Sequence, residues 1–281
     1  MAMQILDGKK VSARIKEELS AEVTKMKEAG KTPGLAVIIV GDNPASRVYV
    51  NNKKKTCAEI GMYSEEYALP EETTQDELLE LVNTLNKKAD IHGILVQLPL
   101  PGHIDEKTVL NAILPEKDVD AFHPVNVGKI MIGDFDFLPC TPAGIMELIA
   151  ESGIELEGKN CVVVGRSNIV GKPMAMLLLH KNATVTICHS KTKNLKEICK
   201  TADVLVVAVG RAQMINDEYV KDGAVVIDVG MNRLEDKKLV GDVDFDSVAP
   251  HTAAITPVPG GVGPMTIVTL MKNTLTAAKK L

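Results

Sequence analysis

Only five cysteines occur in the 281 residues, and Cys57, Cys140, Cys161, Cys188 and Cys199 lie far apart with no C-x-x-C pair among them. An odd, dispersed set does not build a disulfide framework. Three of the five sit in or beside apolar strand-like or helix-like runs, where a thiol packs as a small hydrophobe. The six histidines lack the H-E-x-x-H spacing that puts two ligands on one helix face, so no metal site is signalled. No apolar run approaches the roughly 18 residues that a membrane span needs, and the stretch from Met1 to Leu19 has neither a signal-peptide core nor an Arg-rich transit pattern. A cytoplasmic protein without membrane contact is expected. Basic charge is not in excess, since the formal net charge is -5, and without a broad basic field nucleic acid is not expected as a partner. There is no internal repeat and no low-complexity tract.

What remains is the composition of a globular chain, 45% hydrophobic and 25% charged, long enough for two medium domains. Val11, Ile15, Leu19, Val23 and Met26 recur every three or four residues and stop at Gly30, which predicts an amphipathic helix. A buried strand over 35–40, helices over 45–60 and 78–85, and a strand over 93–97 follow. Such alternation predicts a parallel sheet with crossover helices, whose ligands gather at the carboxyl ends of the strands. After a Pro- and Gly-punctuated stretch over 99–142, a helix over 144–152 leads into strands over 161–164, 184–188, 204–209 and 225–229, the pattern of a doubly wound domain. The stretch 265–281 reads as one helix, and pattern leaves open which domain it packs on.

Strand Val162–Val164 runs into a turn from Gly165 to Pro173 and then the apolar helix Met174–Leu179. A strand, a glycine turn and a helix N-terminus aim backbone N–H groups and a helix dipole at a phosphate. The pattern is a loose G-x-S-x-x-x-G, and Gly165 and Gly171 are also explained if they merely allow a tight turn. The next strand ends at Cys188 and is followed by His189, Ser190 and Lys191, with no carboxylate of the kind that holds the ribose hydroxyls of NAD. Arg166 and Ser190 can instead hold a 2′-phosphate, which favours NADP. The alternative is that Arg166 and Lys191 are solvated surface charges.

Tyr49 and Lys53 are four residues apart and share a helix face. They suit a catalytic pair, or else a solvated lysine triplet beside an amphipathic tyrosine. Gln97 ends a buried strand and needs a polar partner. Asp118 and Asp120 lie two apart in a turn-rich segment, facing a cleft or serving as turn and cap residues. The glycines of the segment Thr256–Thr266 permit close backbone approach before a helix opens, as a ligand-holding loop requires.

Five segments, Tyr49-Val-Asn-Asn-Lys53, Val96-Gln-Leu-Pro-Leu-Pro101, Lys117-Asp-Val-Asp120, Val164-Gly-Arg-Ser-Asn-Ile-Val-Gly-Lys-Pro173 and Pro257-Val-Pro-Gly-Gly-Val-Gly-Pro-Met-Thr266, together resemble the methylenetetrahydrofolate dehydrogenase/cyclohydrolase family. The likeness runs in order over essentially the whole chain. It implies an α/β protomer with two domains and a cleft between them. Residues 1–140 would form a folate-binding catalytic domain with a parallel sheet, on which the helix over 265–281 packs back, and 141–264 a Rossmann-like NADP-binding domain. The implied catalytic set is Lys53, Tyr49, Gln97 and Asp120, with Lys53 central to cyclohydrolase chemistry, Gln97 tuning it and Asp120 hydrogen-bonding the pterin. Substrate contacts would add Val96, Leu98, Pro259, Gly260, Gly261, Val262 and Gly263. Gly165, Arg166, Ser167 and Ser190 match the NADP contacts, and Met231 would pack on the nicotinamide. The implied activity is NADP-dependent oxidation of 5,10-methylenetetrahydrofolate and hydrolysis of the methenyl product, in a homodimer. The chain departs from the family's commoner residues at Ala121, where glycine is frequent, at Ala143, where arginine is common, and at Met231, where isoleucine is common. Two rivals are a monofunctional dehydrogenase on the same folate and a silent folate- or nucleotide-binding protein.

Overall fold

The computed structural model describes residues 3–281; Met1 and Ala2, part of the N-terminal stretch considered above, lie outside the described residues. The chain forms two compact units, one of Arg14–Cys140 with Ile267–Leu281 and one of Met1–Ala13 with Thr141–Thr266. In chain order the elements begin with β1 (Gln4–Ile5), α1 (Gly8–Glu28), β2 (Gly34–Val40), α2 (Pro44–Ile60), β3 (Tyr63–Leu69), α3 (Gln75–Lys87), β4 (Gly93–Val96), α4 (Glu106–Ala112), α5 (Pro124–Ile132) and α6 (Cys140–Glu151). They continue with β5 (Asn160–Val164), α7 (Gly171–Leu179), β6 (Thr184–Cys188), α8 (Leu195–Cys199), β7 (Val204–Val207), β8 (Ala224–Asp228), β9 (Asn232–Arg233), β10 (Leu239–Val240), α9 (Phe245–Val248), β11 (Thr252–Ile255) and α10 (Val262–Lys280).

The unit that begins at Arg14 is built on a three-stranded parallel sheet in the order β3-β2-β4. β2 lies at its centre, and all seven of its residues are buried, which is why its sequence, GLAVIIV, is continuously apolar. Ala36, Ile38, Ile94 and Val96 pack with Leu78, Val82 and Leu85 of α3 in one aliphatic cluster. α3 starts with a capping box, Thr74 accepting from the Glu77 N–H while the Glu77 carboxylate accepts from the Thr74 N–H. α5 has Pro124 in its first turn and closes at Gly133 with φ +82°. The segment Ile267–Leu281, most of it α10, packs with this unit. Asn273 Nδ2 donates to Val119 O and Leu138 O, each at 2.8 Å, and Thr274 lies so close to Gly93 that a Cβ there would meet its Oγ1 at 3.2 Å.

The other unit holds a six-stranded sheet in the order β1-β11-β8-β7-β5-β6, with every neighbouring pair parallel. Because the chain goes from β5 to β6 on one side and then crosses to β7 on the other, the carboxyl end of β5 is a topological switch point. β1 corrects the expected division at residue 140. Gln4 pairs with Ala254 and Ile5 with Ile255, and Leu6 N–H donates to Ile255 O at 2.8 Å, so the described residues up to Ala13 go with this sheet. Two residues carry no periodicity that betrays such a strand. All five cysteines are buried and none is in a disulfide.

Candidate functional site

α2 turns Tyr49 and Lys53 to one face. Of the lysine triplet, only Lys53 is buried, at 8% exposure; Lys54 pairs with Glu66 at 3.5 Å and Lys55 with Glu59 at 3.9 Å, both well exposed. Lys53 Nζ donates to Gln97 Oε1 at 2.9 Å. Gln97 in turn donates from Nε2 to Leu98 O at 2.7 Å, and that second bond fixes which amide atom faces the lysine. Burial lowers the Lys53 pKa, opposed by the charge of Asp120 and then by Cys140. Burial raises Asp120, against the pull of Lys53 and a hydrogen bond with Cys140, and it raises the half-buried Tyr49 phenol as well. The result is an amine shifted toward neutrality beside a carboxyl that resists ionising, the environment of a proton-transfer site.

Cys140, to which the sequence attached no role, is therefore part of this cluster. Its thiol is pushed well above the usual range by burial and by the adjacent Asp120, so it serves here as a neutral hydrogen-bonding group. The two neighbouring aspartates differ in role. Asp118 accepts from the His123 N–H and from Asn126 Nδ2, each at 2.8 Å, and so shapes the turn into α5, while Asp120 faces Lys53. Val96 packs its side chain into the aliphatic cluster, in register with Ile38 of β2.

In the other unit, β5 ends at the switch point in the glycine turn. Gly165 has φ +139°, and a Cβ there would meet Ala208 O at 2.3 Å; one at Gly171 would meet Gly165 O at 2.2 Å. Both positions need glycine for close backbone packing. Ser167 Oγ accepts from the N–H groups of Val170 at 3.1 Å and Gly171 at 3.3 Å, which tightens the turn and leaves its O–H to donate. Arg166 and Ser190 are exposed at the ends of β5 and β6. A glycine cradle at a helix N-terminus, a guanidinium and no carboxylate after β6 together fit a dinucleotide with a 2′-phosphate.

Pro257–Gly261 forms a close-packed loop leading into α10, whose first residues are Val262 and Gly263: Gly260 has φ +110°, and a Cβ at Gly261 would meet Pro257 O at 2.7 Å. The Met231 Cε lies 3.4 Å from where a Cβ on Gly263 would stand, which brings Met231 beside this loop. Sequence reasoning missed a pair of buried aspartates nearby. Asp228 accepts from the N–H groups of Gly230, Asp242 and Val243 at 2.9, 2.9 and 3.0 Å. Burial pushes its pKa up to about 7, with those three donors pulling it down and the Asp242 carboxylate adding to the rise. The run Asp228-Val-Gly-Met231 was the available signal. No group of three or more His, Cys, Asp or Glu among the described residues is placed to hold a metal, and no helix among them is long and apolar enough to cross a membrane.

Two family models match the chain: tetrahydrofolate dehydrogenase/cyclohydrolase, catalytic domain, over residues 6–120, and tetrahydrofolate dehydrogenase/cyclohydrolase, NAD(P)-binding domain, over residues 139–281. A bifunctional protein FolD of Acetivibrio thermocellus is 68% identical over 279 residues, covering 99% of this chain and 98% of that protein. Among solved structures, the bifunctional FolD methylenetetrahydrofolate dehydrogenase/cyclohydrolase of Campylobacter jejuni is 53% identical with a TM-score of 0.97, covering 99% of each chain. The Trypanosoma brucei N5,N10-methylenetetrahydrofolate dehydrogenase-cyclohydrolase, solved with NADP cofactor and inhibitor, is 42% identical with a TM-score of 0.96, covering 100% of this chain and 98% of that one. Matches of this extent and identity, over both units, carry one conclusion: the chain belongs to the tetrahydrofolate dehydrogenase/cyclohydrolase family.

Proposed function

We propose that this chain is a bifunctional folate enzyme, oxidising 5,10-methylenetetrahydrofolate with NADP and hydrolysing the resulting 5,10-methenyltetrahydrofolate to 10-formyltetrahydrofolate. The observation that carries the second activity is the buried Lys53 amine, held at 2.9 Å by Gln97 with its pKa lowered. A dehydrogenase alone needs no such group.

Bound NADP supplies the acceptor for hydride from the methylene carbon, and the cation left behind is stabilised by its two nitrogen neighbours. No proton leaves in that step, so positioning is the protein's main task. Asp120 hydrogen-bonds the pterin, while Tyr49, Val96, Leu98 and the loop Pro259, Gly260, Gly261, Val262 and Gly263 hold the folate. Arg166 and Ser190 take the 2′-phosphate, Gly165 and Ser167 the diphosphate side, and Met231 packs on the nicotinamide. In the hydrolysis, Lys53 takes the proton of the attacking water and returns it during ring opening, with Gln97 orienting the amine. The enzyme works as a homodimer in the cytoplasm, supplying one-carbon units for purine, histidine and methionine synthesis.

The test follows NADPH and methenyltetrahydrofolate by absorbance and the formyl product by chromatography, after mixing purified protein with 5,10-methylenetetrahydrofolate and NADP. NADPH with formyl product formed faster than the blank hydrolysis supports both activities. Accumulating methenyl compound reduces the proposal to a dehydrogenase, and absence of NADPH overturns it.

A further inference from the structure

The buried Asp228 and Asp242 have no part in the chemistry above, yet together they organise one end of the C-terminal sheet. Asp242 is fully buried, and its carboxylate accepts from the consecutive N–H groups of Val209, Gly210 and Arg211 at 2.7, 2.9 and 2.8 Å. Three successive N–H groups converging on one anion form a nest of the sort that elsewhere binds phosphate. Here the protein fills it with its own carboxylate, so the loop after β7 serves as a wall and the phosphates are left to the Gly165–Gly171 turn. Asp242 also accepts from Asn232 Nδ2 at 2.9 Å, one residue beyond Met231.

The aspartate itself is fixed from behind. Its carbonyl accepts from Ile215 N–H at 3.0 Å, and its N–H donates to Asp228 at 2.9 Å. Gly230 permits the approach, since a Cβ there would meet the Asp242 carboxyl carbon at 2.3 Å; Gly241 permits the approach of Asp228, whose Oδ2 a Cβ would meet at 1.7 Å. Asp228 N–H donates to Thr256 Oγ1 at 2.8 Å, where the Pro257–Gly261 loop begins. The loops after β7, β8 and β11 thus share one buried polar network, and the loop after β7 packs directly on Gly165 through Ala208.

We propose that Asp242 is a positioning residue for hydride transfer: by binding the 209–211 nest and Asn232 together, it sets the wall and the Met231 segment against which the nicotinamide of NADP is held. The inference rests on reading this unit as the NADP-binding one. A purely structural role would lower both activities alike, whereas a positioning role strikes the dehydrogenase and spares the hydrolysis, whose groups Lys53, Gln97 and Asp120 belong to the other unit.

The experiment compares the full-length wild type with Asp242→Asn, which keeps size but turns amide hydrogens toward N–H donors. Dehydrogenase kinetics are measured against NADP, NADPH binding by its fluorescence, and cyclohydrolase with methenyltetrahydrofolate in the absence of NADP. The expected result is a fall of about tenfold or more in kcat/KM for NADP, the size that loss of buried hydrogen bonds to a charged group produces, with weaker NADPH binding and cyclohydrolase within about twofold of the wild type. Parallel losses in both activities, or an unchanged dehydrogenase, overturn the proposal. If Asp242→Asn does not fold by circular dichroism, Asn232→Ala decides: the same split in smaller measure supports the proposal, and unchanged kcat/KM for NADP overturns it. A wild type with cyclohydrolase but no NADP turnover would sink the NADP reading itself, which is a separate failure from an insensitive variant.

Discussion

Ala121 sits at φ +57°, a left-handed conformation that costs a residue with a Cβ about 1–2 kcal/mol. Its methyl is fully buried, and burying one such group returns about 0.8 kcal/mol. Strain and burial offset one another in large part, which explains how alanine is accommodated at a left-handed position. Ala121→Gly should therefore stay within about 1 kcal/mol of the wild type in urea unfolding, while Ala121→Val, β-branched and in the same backbone region, should lose at least about 2 kcal/mol. Lys53→Met should slow methenyltetrahydrofolate hydrolysis roughly a hundredfold or more, the scale of a lost general base, and leave NADPH binding intact; hydrolysis at the normal rate would remove Lys53 from the chemistry. Residue pattern indicated the shared face of Tyr49 and Lys53 but not the role of Cys140, because its proximity to Asp120 depends on where the chain enters α6, some twenty positions later.

Apolar runs made most elements legible. β2, β5, β7 and β8 are nearly unbroken aliphatic strands because neighbours lie on both sides and both faces are covered, and β4, though at the edge of its sheet, is buried along its whole length. β3 escaped notice because it is an edge strand, with Glu65 taking hydrogen bonds from Tyr63, Tyr67 and Lys88, and such charge blunts an exposed edge without leaving an apolar signature. β11, with the sequence Thr-Ala-Ala-Ile, is too short and small to stand out, and α4 and α5 were hidden in a stretch read only for its proline and glycine. The β5–α7 turn is legible as a phosphate cradle because strand, glycines and helix start follow one another without a break. Arg166→Ala should weaken NADP about tenfold or more and NAD little, since a guanidinium matters chiefly to the 2′-phosphate; equal losses in a fluorescence titration of both reduced cofactors would refute that role.

For the molecule as a whole, Asp228 makes stability depend on pH. Its folded pKa of about 7 lies above the roughly 3.9 of an unfolded aspartate, so the folded state holds the proton more tightly. The stabilisation is complete below the unfolded value and is lost as pH rises from about 4 through about 7, amounting at most to roughly 4 kcal/mol. The melting temperature of the wild type should fall between pH 5 and pH 8 more steeply than that of Asp228→Asn; identical slopes would assign the effect to another group. A different consequence follows from the unit made of Arg14–Cys140 and Ile267–Leu281. A ribosome finishes its sheet early, yet the segment carrying Asn273 and Thr274, which packs against Val119 and Gly93, emerges only after the whole of 141–266. The sheet of this unit must wait for a segment made more than a hundred residues later, and no fragment cut between Cys140 and Ile267 contains the unit whole.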